Sequence, residues 1–198
     1  MAPSNNIADD KDEHTVREIN ELCTRFSKRH IDVKCVGRCD MGLGDVTHHN
    51  VEQLRRLNQA VFPVAYNDRF YKDIVTAGEL AKLAYFNDIV VGAVCCRIDV
   101  QDGIRRLYIM TLGTLAPYRR LGIGTLLLKH VFTLCEKDSA IDNIYLHVQV
   151  CNESALDFYK RFGFEIVGTA EKYYKRIEPD SAYILMKKID REVREYLL

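Results

Sequence analysis

An apolar stretch, Leu107 to Leu115, is followed by the basic, glycine-punctuated run Arg119-Arg120-Leu121-Gly122-Ile123-Gly124-Thr125, and this opens a periodic segment from Ile123 to Cys135. Strand, turn and helix in that order aim several unpaired backbone N–H groups and the positive end of the helix dipole at one point in space. An anion fits there. Glycine at 122 and 124 lets a bulky diphosphate approach the backbone with no Cβ in the way, and Arg119 and Arg120 add permanent positive charge. The run lacks the Lys-Ser/Thr end of a P-loop and the third glycine of the dinucleotide fingerprint. On its own it also reads as an ordinary glycine-containing turn between a strand and a helix.

With 198 residues the chain suits one domain with a sizeable core, and its 28 basic residues balance its 28 acidic ones. That neutrality gives no sign of a broad nucleic-acid surface or of a membrane-surface preference, and no apolar run approaches the ~20 residues of a bilayer span. Seven cysteines and a polar start after Met1-Ala2-Pro3 lead us to expect reduced thiols in the cytosol, with the nucleus as a second location. Cys35 and Cys39, with His30, His48 and His49 nearby, lack zinc-type spacing, and no metal is expected. Cys95 and Cys96 lie on a strand pattern that sends them to opposite faces.

Residues 1 to 40 read as an extension, partly disordered or forming a short amphipathic helix with Val16, Ile19, Leu22, Cys23 and Phe26 at helical spacing. The domain proper is expected over 41–190, with a tail from 191 to 198. The pattern predicts a strand at 43–47, a helix capped by Asn50 with Gln53, and a second helix over 68–77. Strands follow at 80–86, 89–99 and 105–115, the last two joined by a Gln101-Asp102-Gly103 hairpin. A helix to about residue 138, a strand at 143–150, a helix at 153–162 stopped by Gly163, and strands at 164–170 and 181–188 complete the series. The expected fold class is α/β (α+β): one mixed, mostly antiparallel sheet of about seven strands with helices on both faces.

The turn matches Arg/Gln-x-x-Gly-x-Gly/Ala, which resembles the pyrophosphate loop of the GCN5-related N-acetyltransferase superfamily. From about 43 to 188 the resemblance narrows to the NatE-type N-terminal acetyltransferases. It is carried by Phe62-Pro63-Val64-Ala65-Tyr66-Asn67-Asp68, Gly78-Glu79-Leu80-Ala81-Lys82-Leu83-Ala84-Tyr85 and Arg106-Leu107-Tyr108-Ile109-Met110-Thr111-Leu112-Gly113. It continues through Asn143-Ile144-Tyr145-Leu146-His147-Val148-Gln149, Phe158-Tyr159-Lys160-Arg161-Phe162-Gly163-Phe164-Glu165 and Tyr173-Tyr174-Lys175-Arg176-Ile177-Glu178-Pro179. The chain departs from the family's expected residues at Thr114 and Cys151, carries His48 where proline is expected, and has an N-terminal extension that the family generally lacks.

The resemblance implies acetyl-coenzyme A as co-substrate. Its contacts would be Leu112, Gly113, Thr114 and Leu115 at the strand end, Arg119, Arg120, Leu121, Gly122, Ile123, Gly124 and Thr125 in the turn, and Asn152, Ala155 and Tyr159 on the next helix. It implies Tyr108 and His147 as a catalytic pair acting through an ordered water. On the residues alone, Tyr108 reads as a strand-face aromatic and His147 as a satisfied core histidine. It further implies an acceptor vestibule of Phe62, Pro63, Val64, Tyr66, Met110, Tyr173, Tyr174, Lys175, Arg176 and Ile177, suited to Met followed by a hydrophobic residue. A peptide α-amine titrates near about 8 and a lysine amine near about 10.4, so the α-amine asks less of a base. Direct attack in a ternary complex needs no covalent cysteine. The implied partners are polypeptide N-termini and a NatA-type complex at the ribosome, with the isolated chain a monomer. Lysine acetylation, including self-acetylation, and a non-catalytic coenzyme-binding role are the alternatives.

Overall fold

The computed structural model describes residues 40–175 and 177–189; the extension before residue 40, Arg176 and the tail from 190 lie outside the described residues. Asp102 and Gly103, both left-handed at φ 53° and 75°, close a two-residue turn, the geometry that matches strand twist in a hairpin. It joins β3 (Ile89–Gln101) to β4 (Ile104–Thr114) and sets their register, Gln101 opposite Ile104 and Arg97 opposite Tyr108. Ahead of them run β1 (Met41–Asp45), α1 (Val51–Val61), α2 (Asp68–Val75) and β2 (Ala81–Phe86). After them come α3 (Ile123–Lys137), β5 (Ile141–Gln149), α4 (Glu153–Arg161), β6 (Glu165–Ala170) and β7 (Ala182–Lys188).

All seven strands form one sheet in the order β1-β2-β3-β4-β5-β7-β6. Every neighbouring pair is antiparallel except β4 and β5, which α3 connects as a parallel crossover. The mixed sheet is the one expected. Two apolar layers cover it. On one face Leu54 and Leu57 of α1 and Tyr71 and Ile74 of α2 pack on Leu83, Ala93 and Cys95. On the other, Leu127, Leu128 and Val131 of α3 and Leu156 and Tyr159 of α4 pack on Val94, Cys96, Leu107, Ile144 and Leu185. Cys95 and Cys96 thus part to opposite faces, as a strand requires.

One local expectation fails. The side chain of Asn50 does not cap α1; its Oδ1 accepts from the Thr47 N–H at 2.7 Å and its Nδ2 donates to the Asp45 carbonyl at 2.9 Å. Asx side chains compete for whichever backbone groups lie nearest, and here the turn leaving β1 is nearer than the first helical amides. That turn also ends β1 at Asp45 instead of Thr47. By contrast Asn67 caps α2 by accepting from the Phe70 N–H at 3.0 Å.

The feature that creates the site lies between β4 and β5. Their ladder runs only from Arg105–Ile141 to Tyr108–Tyr145, although β4 continues to Thr114 and β5 to Gln149. Just beyond, Ile109 pairs with Cys96 and Thr111 with Cys95, so Met110 is the extra residue of a β-bulge. A bulge bends its strand and sharpens its twist. β4 bends away, and a wedge opens between two parallel strands.

Candidate active site

The wedge is continuous with two cavities. The first, about 900 Å³, is lined by Leu112, Gly113 and Thr114 at the end of β4, by Arg119, Arg120, Gly122, Gly124 and Thr125 of the turn, and by Asn152, Ala155 and Tyr159. Gly122 is the residue before α3, left-handed at φ 91°, and no side chain caps the helix. The first amides of α3 therefore have no side-chain acceptor, which leaves them for an external anion. A Cβ on Gly122 would meet nothing within 4 Å, so its dihedral explains the glycine and neighbour crowding does not. Arg120 is also left-handed, at φ 67°, and Arg119 Nε donates to the Thr114 carbonyl at 3.3 Å, tying the turn to the strand end.

Sequence reasoning placed Asn152, Ala155 and Tyr159 on the opposite wall but missed its cations. Lys160 and Arg161 of α4 line the same cavity, so four cations face a single carboxylate, Asp157. That charge balance, the uncapped helix start and the volume all fit the diphosphate and pantetheine of a coenzyme A thioester. Three of the expected contact residues do not line it with their side chains. Leu115 packs in the α1–α2 layer, Ile123 is 1% exposed in the other core, and Leu121 is exposed to solvent. For Leu115 and Ile123 only the backbone is left to face a ligand.

The second cavity, about 490 Å³, shares Phe62, Pro63, Leu112, Asn152, Ala155 and Tyr159 with the first. Phe62, Pro63, Val64, Tyr66, Met110, Tyr173, Tyr174, Lys175 and Ile177, the expected acceptor wall except Arg176, all line it. Tyr66 stacks on Phe70 at 4.6 Å and meets Phe62 edge-on at 6.2 Å, a rigid apolar side built from the loop after α1.

Tyr108 and His147 come together at this cavity. His147 Nδ1 lies 3.2 Å from Tyr108 Oη, and Tyr173 Oη lies 2.9 Å from the same Tyr108 oxygen. The Tyr173 ring stacks flat on the His147 imidazole at 4.3 Å. Burial holds the His147 imidazole below its ordinary value of 6.5, so the ring is neutral at pH 7 and able to accept a proton. Burial first, and then the Tyr173 hydroxyl, push the Tyr108 phenol well above its usual range. Tyr108 therefore keeps its proton at neutral pH. Tyr159, 5% exposed at the junction of the cavities, is likewise held protonated by burial.

Behind Tyr108 stands a support that the sequence reading did not single out. Tyr145 stacks on its ring at 4.7 Å and donates its hydroxyl to Asp99. Arg97 lies 4.9 Å from the ring centroid, its Nε 2.8 Å from Asp99 Oδ1. The signal was available: counting back from a two-residue Asp102-Gly103 turn puts Arg97 opposite Tyr108. Asn152 caps α4, accepting from the Ala155 N–H at 3.1 Å, and lines both cavities as well. Among the described residues no cysteine lines either cavity, and Cys151 is exposed.

Comparison with known proteins agrees with this geometry. The model of the acetyltransferase (GNAT) family matches residues 50–164. N-alpha-acetyltransferase 50 of Danio rerio is 68% identical over 147 residues, 74% of this chain and 88% of that protein. The probable N-acetyltransferase san of Drosophila melanogaster is 63% identical over 154 residues, 78% of this chain and 84% of that protein. The solved structure of Arabidopsis thaliana Naa50 in complex with the bisubstrate analogue CoA-Ac-MVNAL superposes with a TM-score of 0.71 at 51% identity, covering 75% of this chain and 99% of that one. The chain belongs to the acetyltransferase (GNAT) family, within its N-alpha-acetyltransferase 50 and San-type branch.

Proposed function

We propose that this chain is an N-alpha-acetyltransferase that moves acetyl from acetyl-coenzyme A to the α-amine of polypeptides beginning with Met and a hydrophobic residue. The observation that carries the reading is the meeting of a cation-rich cavity with an apolar one at a neutral imidazole bonded to a phenol. The peptide of the analogue bound by the Arabidopsis relative, MVNAL, has the same Met-then-apolar start.

Acetyl-coenzyme A supplies an activated acetyl group when bound. The turn before α3 holds its diphosphate, and the open edge of β4 at Leu112 offers a backbone N–H to the thioester oxygen, where negative charge develops. His147 takes the proton of the attacking amine through a water, and the Tyr108 hydroxyl fixes the imidazole and that water. Tyr159, still protonated, donates to the departing thiol end. The α-amine is already partly neutral at pH 7, so a base of this strength suffices. Phe62, Val64, Tyr66 and Met110 surround the Met and second side chains. One methylene there is worth about 1–3 kcal/mol, which makes the second-residue preference graded.

Pure protein incubated with acetyl-coenzyme A and a Met-Leu peptide, read by mass spectrometry, tests the proposal. Acetyl on the α-amine supports it; modification only of a lysine in the same peptide, or no product above the uncatalysed rate, removes it. Association with a NatA-type complex at the ribosome belongs to the same proposal and rests on membership of this branch; co-sedimentation of the full chain with ribosomes carrying that complex tests it.

A further inference from the structure

We infer that Arg97 and Lys175 make the acceptor cavity a reader of charge: the enzyme favours polypeptides with an acidic side chain shortly after the Met-hydrophobic pair and disfavours those with lysine there. This rests on the N-alpha-acetyltransferase reading above and adds a second specificity element to it.

Apart from His147, the ionisable side chains of opposite character that such a cavity could balance are unevenly represented. Arg97 and Lys175 line it, and among the described residues no aspartate or glutamate does. A surface with equal numbers of both signs, like the whole chain, gives no reason for that bias. Arg97 is also fixed in place. Its Nε lies 2.8 Å from Asp99 Oδ1, its Nη2 donates to Asp99 Oδ2 at 3.2 Å, and its guanidinium rests 4.9 Å from the Tyr108 centroid. A planar fork ordered this way loses little freedom on gaining another partner. Its side chain remains 56% exposed, and the Asp99 that partly offsets its charge is turned to Tyr145 and does not line the cavity. Lys175 follows Tyr173 and Tyr174 in the same wall and is exposed.

Arg97 lies over the Tyr108 ring, and Lys175 lies in the wall of the same cavity, in the loop after Tyr174. An extended acceptor advances about 3.3–3.6 Å per residue, so these two cations are assigned to side chains a few residues past the Met-hydrophobic pair, at about the third to the fifth position. Attraction of a carboxylate and repulsion of an ammonium at partly exposed cations are each small, and together give about a five- to tenfold difference. The same charges oppose entry of lysine-rich segments, which favours α-amine over lysine acceptors.

The test uses Met-Leu peptides identical except for Glu, Gln or Lys at positions three to five, with kcat/KM measured on the full chain, Arg97→Gln and Lys175→Glu. The expected order is Glu over Gln over Lys, compressed in about 1 M salt, where screening reaches about 3 Å. Arg97→Gln narrows the range and Lys175→Glu inverts it, a reversal that mere loss of folding cannot produce. Equal kcat/KM for the three peptides in the full chain, or an unchanged order in both variants, overturns the inference while leaving acetylation itself intact. If no peptide is acetylated, the acetyltransferase reading fails and this falls with it.

Discussion

Burial divides the labour between Tyr108 and His147. It lowers the imidazole and raises the phenol, so one accepts protons at neutral pH and the other holds its own. Loss of the base in His147→Ala is expected to reduce kcat by about 10²-fold or more, the usual worth of general-base help. Tyr108→Phe keeps the stack on Tyr145 and the Arg97 contact but loses both hydroxyl bonds; kcat is expected to fall about tenfold or more with little change in KM for the peptide. The sign of the pH dependence follows from His147. While the substrate α-amine, at about 8, sets a limb of its own, the folded value of His147 lies below 6.5, so the help it gives is complete above 6.5 and is lost as the pH drops through the folded value and the ring becomes cationic. Steady-state profiles of the full chain should show this acid limb, and His147→Ala should lack it. The α-amine limb at about 8 should persist in His147→Ala, and a full-chain profile with no limb below 6.5 would mean that a different group is the base. At this scale the sequence was legible where words of residues were long, and silent on supports such as Asp99 and Tyr145, because a hydrogen bond across two strands is spaced by 46 residues.

Elements explain why the pair has room around it. Hydrophobic periodicity and the Asp102-Gly103 turn made the hairpin, the crossover and both helical layers readable, since each is a local pattern. The bulge at Met110 was not, because it arises where β4 must satisfy β3 on one edge while leaving β5 on the other. Asn50 misled for a similar reason: a cap residue chooses among neighbours that only the folded turn supplies. Two substitutions probe this level. Asn67→Ala should cost about 1 kcal/mol in chemical denaturation, the ordinary worth of an N-cap, whereas Asn50→Ala, which removes its hydrogen bonds to Thr47 and Asp45, should loosen the β1–α1 turn without shortening α1. In Gly113→Ala the new Cβ would stand 2.7 Å from Val61 Cγ1 and 2.9 Å from Phe62 Cζ. The end of α1 must then shift, at about 1–3 kcal/mol, and because Phe62 lines both cavities the KM for peptide should rise together with the loss of stability.

Among the described residues, the sheet is covered by apolar layers on both faces and its strand pairing opens at the wedge between β4 and β5. The two cavities that meet there differ in charge and chemistry as the two proposed substrates do: one is cation-rich, as a diphosphate requires, and one largely aromatic, as the proposed Met-hydrophobic start requires. A ligand that bridges α3, β4 and α4 also couples elements that otherwise meet only through the core. Acetyl-coenzyme A at about 100 times its Kd should therefore raise unfolding stability by about 2.7 kcal/mol, seen as a higher Tm, and Gly122→Ala, strained at φ 91°, should blunt that gain. The most direct test of the central claim is a crystal structure of the chain with a coenzyme A–acetyl–Met-Leu peptide conjugate. The account predicts the diphosphate on the backbone between Arg119 and Thr125 and the conjugate's amide nitrogen within water-bridged reach of His147 and Tyr108. A conjugate seated with its diphosphate elsewhere, or with its peptide outside the Phe62–Tyr174 cavity, would contradict it.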